Sequence, residues 1–216
     1  MKRLIIAFLL IPAAWSQVAQ HANQDLHTAE GRQRLIQMLS SPDRAKRIGA
    51  DKLVTSLNLF PGATVVDLGA GAGVLLPYLS EAVGPTGRVV AQDIIDEFLL
   101  KAAELARAKG LTNVEFLLGT AKDPKLEENS ANLILAVDSY HHFDYPEAML
   151  AGLRNALRPG GKFVVVDYYK ARFRDPEHIR LEKADVIKEI EANGFRLLTN
   201  EEHIPEQQYR LVFEKR

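Results

Sequence analysis

The segment VVDLGAGAG (residues 65–73) ends an apolar run on an acid, Asp67, and then alternates Gly69, Gly71 and Gly73 with Ala70 and Ala72. Glycines in such a turn let main chain approach a ligand with no Cβ in the way. A carboxylate beside them repels a pyrophosphate and attracts a cation. The segment ILAVDSYHHFDYP (residues 134–146) ends a second apolar run on Asp138 and continues with Ser139, Tyr140, His141 and His142. Imidazole titrates near neutrality, so one of these histidines could serve as a base. Neighbouring residues point in different directions, and metal-binding histidines on a helix are spaced i, i+3 or i+4, so no metal is expected here.

These residues need a scaffold that brings two strand ends together. From residue 63 apolar runs alternate with helical patterns: strands are read in ATVVDLG, GRVVAQDI, NVEFLLG, ANLILAVD and KFVVVDYY. Helices are read in VLLPYLSEAVG, DEFLLKAAELARAKG and YPEAMLAGLRNAL, the last stopped by the Arg-Pro-Gly-Gly turn at 158–161. Continuous apolar strands alternating with helices imply a doubly wound, mostly parallel α/β sheet covered on both faces. A final helix is read over about 177–193, followed by the strands FRLLTNEEHI and QQYRLVFEKR, which must pair as an antiparallel hairpin. Residues 24–57 read as helices preceding the sheet, one of them capped by Ser41 with Pro42 in its first turn. Residues 17–216 then form a single domain.

The ligand of the glycine turn is narrowed by two missing motifs. A dinucleotide fingerprint needs G-x-G-x-x-G, and its last position holds Val74; a P-loop needs a Lys-Ser/Thr pair that is missing. S-adenosylmethionine suits Asp67, because it carries a sulfonium and an ammonium and no phosphate. The acid with G-x-G-x-G, the acid Asp93 at the end of strand two and the Arg-Pro-Gly-Gly turn together resemble the class I S-adenosylmethionine-dependent methyltransferases. Over roughly residues 42–216 the chain looks most similar to the ubiquinone/menaquinone-type, small-molecule branch. The resemblance implies a seven-stranded sheet of order 3-2-1-4-5-7-6. It also implies S-adenosyl-L-methionine held by Asp67, Gly69, Ala70, Gly71, Gly73, Asp93, Ile94, Thr120, Ala121 and Asp138. Thr120 stands where the family often has an acid for the adenine amino group, so Asp123 or local main chain is the alternative contact.

Methyl transfer needs alignment more than acid–base chemistry, and a base only when the nucleophile carries a proton. His141 is the candidate base and Tyr140 the residue orienting substrate. The competing use of Tyr140 and His142 is loop packing, with Asp144 capping the next helix. Tyr168, Tyr169 and Arg172 follow strand five and offer contacts to a phenolic or carboxylate acceptor; His178 and His203 read as surface residues. The catechol-type metal site is not expected, because Asp167 is followed by Tyr168 rather than Asn. The Asn/Asp-Pro-Pro-Tyr motif of amino-methylating enzymes is absent, and a chain without cysteine cannot use thiolates to methylate arsenite.

A net charge of −1 and no basic block with interleaved aromatics argue against a nucleic-acid partner; the acceptor is expected to be a small molecule. MKRLIIAFLLIPAAWSQ has a basic start, a short apolar run and small residues before Gln17, the layout of a secretory signal peptide over residues 1–16. Export to a periplasm or the exterior is therefore expected, with no stable membrane insertion once the leader is removed; a cytoplasmic chain with an N-terminal extension is the alternative. The rival functions are a nicotinamide-dependent oxidoreductase and a non-catalytic S-adenosylmethionine or nucleoside binder.

Overall fold

A computed structural model describes residues 17–216, and the expected leader lies outside the described residues. Seven strands form one sheet in the order β3-β2-β1-β4-β5-β7-β6. They are β1 (Thr64–Leu68), β2 (Arg88–Asp93), β3 (Val114–Leu118), β4 (Ala131–Val137), β5 (Leu157–Tyr168), β6 (Phe195–Ile204) and β7 (Gln208–Lys215). The first five pair in parallel, and β7 runs antiparallel between β5 and β6. Strand order reverses between β1 and β4, and the crevice at that switch point is where ligands bind in open α/β sheets.

Alternate residues of the buried strands feed two cores. Val66, Ile134, Ala136 and Val165 face α6 (Pro146–Ala156) and α7 (Lys183–Ala192) through Leu150, Leu153, Val186 and Ile190. Val65, Val89, Leu133 and Leu135 face α3 (Ala50–Ser56), α4 (Leu76–Val83) and α5 (Asp96–Ala108) through Leu53, Leu76, Leu79 and Ala102. Each fully buried Leu contributes about 2 kcal/mol by leaving water. The edge strand β3 departs from the expected double cover: Phe116 and Leu118 are exposed, while Val114 packs against the core.

Four local readings are corrected. The segment starting at Ser41 is broken by Gly49 (φ 57°) into α2 (Arg44–Arg47) and α3, and the cap position of α2 is Asp43 rather than Ser41. The Arg-Pro-Gly-Gly turn lies inside β5 as a bulge, with pairing jumping from Ala131–Leu157 to Leu133–Lys162. The last helix begins at Lys183, six residues later than read, and a separate short turn occupies Pro176–His178. Asp144 does not cap α6, whose cap position is Tyr145; its carboxylate instead accepts from Ala19 N–H at 3.3 Å.

That last bond belongs to a strap. Val18 N–H donates to the Asp144 carbonyl at 3.1 Å, and Ala19, Ala22 and Asn23 are buried. After a turn at Gln24–His27, α1 (Ala29–Leu39) follows, capped by Thr28, whose hydroxyl accepts from Gly31 N–H. The N-terminal segment is thus laid across the open end of β4.

Candidate active site

A cavity of about 550 Å³ opens where β1, β2 and β4 end, closed over by the strap, α1 and residues 168–178. Its walls include Asp67, Gly69, Ala70, Gly71, Asp93, Ile94, Ala121, Asp138 and His141. Residues separated by as many as 157 positions in the chain, His21 and His178, therefore line one space.

On one side the glycine turn has left-handed main chain at Gly69 (φ 74°) and Gly71 (φ 55°). A Cβ at Gly69 would stand 2.7 Å from the Ser139 Cβ, so the turn between β1 and α4 packs against the one after β4. Asp93 organises the crossing: its carboxylate accepts from Gly71 N–H at 2.9 Å and from Ile94 and Ile95 N–H at 2.7 and 3.0 Å. Burial raises its pKa, and those three N–H donors partly offset the effect. Asp67 lacks such relief. It is buried, its Oδ2 has no hydrogen-bond partner, and burial, with the nearby Asp93 charge, lifts its pKa to about 7.

An unpartnered buried carboxylate oxygen beside glycine main chain suits a cationic ligand, which would supply the missing partner. S-adenosylmethionine fits these residues: Asp67 with Gly69–Gly71 would take its charged methionine end, and Asp93 with Ile94 a ribose. Gly73 lies in the turn without lining the cavity; a Cβ there would come within 3.1 Å of Leu76 and Ala102, so it serves packing. Thr120 is outside the cavity wall. Its hydroxyl accepts from Lys122 and Asp123 N–H in its own loop, whereas Ala121 reaches the wall.

The other side is built around the turn after β4. Asp138 has φ 51° and is buried, ion-paired to Arg44 at 2.7 Å and receiving the Gln208 amide at 2.5 Å. Burial raises its pKa against the pull of Arg44. His141 is held twice by buried Asp167: its main-chain N–H donates to Oδ2 at 3.1 Å, and its Nδ1 meets Oδ1 at 2.8 Å. Burial lowers the His141 pKa, but the Asp167 charge and hydrogen bond, with Asp138 behind them, carry it above the ordinary value. With Nδ1–H given to the carboxylate, Nε2 presents a lone pair to the cavity, the arrangement of an oriented general base.

Tyr140 is corrected. Its phenol points away from the cavity and donates to Glu189 at 2.6 Å, with the ring packed against Phe143 and Phe163. Within the turn Tyr140–His142 the tyrosine ring is buried in the core, while the two histidine rings lie side by side at the cavity wall. His203 is also corrected: it is buried and bonds the Ile48 carbonyl at 2.7 Å. His178 is no isolated surface residue either, since its ring lies 5.1 Å from that of His141 and 5.3 Å from that of His142. Tyr168 lines the cavity, while Tyr169 packs on Tyr209 and Arg172 is exposed. Arg44, Asn23 and Phe173 were not singled out from sequence; each is an ordinary residue type in a segment with no motif.

Residues 59–210 match the family model described as "Methyltransferase domain". The chain is 31% identical over 126 residues to a ubiquinone/menaquinone biosynthesis C-methyltransferase of Shewanella pealeana, covering 58% of this chain and 48% of that protein. It is 30% identical over 133 residues to an uncharacterized methyltransferase of Bacillus subtilis, covering 54% and 50%. The chain thus spans about half the length of the curated relatives it matches. Among solved structures, an S-adenosylmethionine-dependent methyltransferase of Aquifex aeolicus superposes with a TM-score of 0.78 at 28% identity, covering 84% of this chain and 97% of that one.

Proposed function

The chain belongs to the methyltransferase-domain family, as a class I enzyme with S-adenosyl-L-methionine as its cofactor, and from that premise we propose methyl transfer to a small-molecule acceptor. The observation that carries the reading is the unpartnered Asp67 oxygen beside the glycine turn, in one cavity with the Asp167–His141 pair. Bound there, the cofactor supplies an electrophilic methyl on a sulfonium, open to in-line displacement. Asp67 and Asp93 hold and orient it. His141 Nε2 takes a proton from the acceptor when the attacking atom carries one, and Asp167 stabilises the resulting imidazolium. Arg44 holds Asp138 in place at the junction of the two sides. Leu39, Phe143, Met149 and Phe173 exclude water from the reacting atoms.

Cavity size supports a small acceptor: 550 Å³ is within the usual range for a single small-ligand site, and donor and acceptor share it. No helix among the described residues is long and apolar enough to cross a membrane. We further read residues 1–16 as an export leader; fractionation of cells expressing the chain with and without them checks this, and a full-length cytoplasmic product would contradict it.

Calorimetric titration with S-adenosylmethionine, S-adenosylhomocysteine and NAD tests the donor assignment, with micromolar binding expected for the first two. Binding of NAD alone would overturn it. Release of S-adenosylhomocysteine across a panel of small hydroxylated and amino compounds then identifies the acceptor. Donor binding with no release on any member, and no methylated product from cell extract, would leave a binding protein rather than an enzyme.

A further inference from the structure

The histidine pair becomes a trio in three dimensions. His141 and His142 come from the turn after β4, and His178 from the turn at Pro176–His178, 36 positions further along the chain. Their rings meet at the cavity wall, 4.2 Å apart for the pair, and one ring nitrogen from each lies within 4.8 Å of the others. Sequence spacing spoke against a metal because neighbouring residues usually point apart; here the two rings lie side by side, and the third histidine arrives from a distant loop.

The hydrogen bonds behind the rings are the second observation. His141 Nδ1 is engaged by Asp167 Oδ1 at 2.8 Å. His142 Nδ1 is engaged by Asn23 Oδ1 at 2.8 Å, and the amide is oriented by its Nδ2 donating to the His142 carbonyl at 3.0 Å. Both rings are thus held with Nδ1–H toward an oxygen acceptor, leaving Nε2 without a hydrogen bond among the described residues. A carboxylate or carbonyl behind each imidazole is the usual support of metal-ligating histidine, because it sets the tautomer and raises the basicity of the free nitrogen.

The geometry points to a site for one divalent transition ion of the zinc class, ligated by His141, His142 and His178. Three imidazole nitrogens and no thiolate select Zn²⁺, Co²⁺, Ni²⁺ or Fe²⁺ over Mg²⁺ and Ca²⁺, which take oxygen ligands. Zinc–nitrogen bonds of about 2.0–2.1 Å put tetrahedral ligands about 3.4 Å apart, so the rings close inward on binding. His178 makes that movement, since it rides on an exposed three-residue turn while His141 is buried. Three protein ligands leave a position open to the cavity. The buried Asp167 carboxylate supplies compensating negative charge behind the ion.

The use of that open position for the acceptor rests on the methyl-transfer reading. The ion and a free base are exclusive uses of the His141 lone pair. His141, His142 and His178 would hold the ion there, and it would supply Lewis-acid activation of an acceptor oxygen in place of the His141 base.

The test uses the tag-free full chain, freed of metal by chelator and titrated with Zn²⁺ and Co²⁺. One Zn²⁺ per chain with micromolar or tighter affinity is expected, together with visible absorption from four- or five-coordinate Co²⁺. His178→Ala and His142→Ala are each expected to weaken Zn²⁺ binding at least tenfold, while exposed His27→Ala leaves it unchanged. Unchanged affinity in His178→Ala, or no saturable site in the parent chain, overturns the proposal. S-adenosylhomocysteine titration of the same samples separates the two readings. Intact nucleoside binding with no metal site removes the ion alone, and a metal site without nucleoside binding removes the donor assignment. Retained S-adenosylhomocysteine binding in His178→Ala also shows that the variant is folded.

Discussion

The donor side of the cavity is made from the main chain of residues 67–73 and the tip of the neighbouring strand, whereas the opposite side draws Asn23, Arg44, His141, Asp167 and His178 from five separate segments. On the donor side the chemistry comes from glycine turns, N–H groups and two carboxylates at strand ends, all within 27 residues. On the other side it comes from side chains whose partners lie far away in sequence, such as the 119-residue separation of Asn23 and His142. A wall of main chain can be common to many enzymes of one fold; a wall of assembled side chains is where an individual enzyme sets its acceptor.

Substitutions should therefore separate the two sides cleanly. The largest effect is expected from His141→Ala, which should lower turnover by about 10²- to 10³-fold while S-adenosylhomocysteine affinity stays within about twofold. Equal loss of both would show that the two sides are not independent. Asp67→Asn should do the reverse, weakening donor binding at least tenfold by calorimetry. The same variant should melt several degrees higher than the parent without ligand at pH 8. The sign follows from the raised pKa of about 7. Between about pH 4 and pH 7 folded Asp67 keeps a proton that the unfolded chain has lost, so stability falls as pH rises through that window. An unchanged or lower melting temperature would contradict a buried, uncompensated charge.

Donor affinity should follow the same group. Below pH 7 binding a cation must expel the Asp67 proton, so the dissociation constant should tighten up to tenfold per unit as pH rises from about 5.5 to 7 and then level off. In Asp67→Asn this dependence should vanish.

Smaller effects probe the assembled side. Asn23→Ala removes the clamp on His142 and should cost about 1 kcal/mol of stability, with a KM for the acceptor several-fold higher, read from denaturant melts and initial rates. Tyr140→Phe should cost about 1–2 kcal/mol in the same melts, through loss of the bond to Glu189, and leave turnover unchanged. A large fall in turnover would return Tyr140 to the site.

What was legible follows the same division. The alternation of strands and helices and the terminal hairpin at Phe195–Ile204 and Gln208–Lys215 come from period and punctuation, whereas the strand order and the grouping of Asp67, Gly69, Gly71, Asp93, Ile94 and Ala121 were what the family resemblance implied. Tyr140 was misplaced because a residue in a short turn can face either way, and only the competition between core and cavity decides. The break at Gly49 was missed because the apolar spacing on either side is compatible with one continuous helix.

By itself the sequence determined the alternating strands and helices, the terminal hairpin and a glycine turn that follows an acid, because each of these is set within a short stretch of chain. Tertiary structure alone decided that Arg44 pairs with Asp138, that Asp167 stands behind His141 and that His178 completes a group of three imidazoles. Those contacts join residues 26 to 94 positions apart, and no local pattern can carry them; they exist because the sheet and the N-terminal strap bring distant loops to one end.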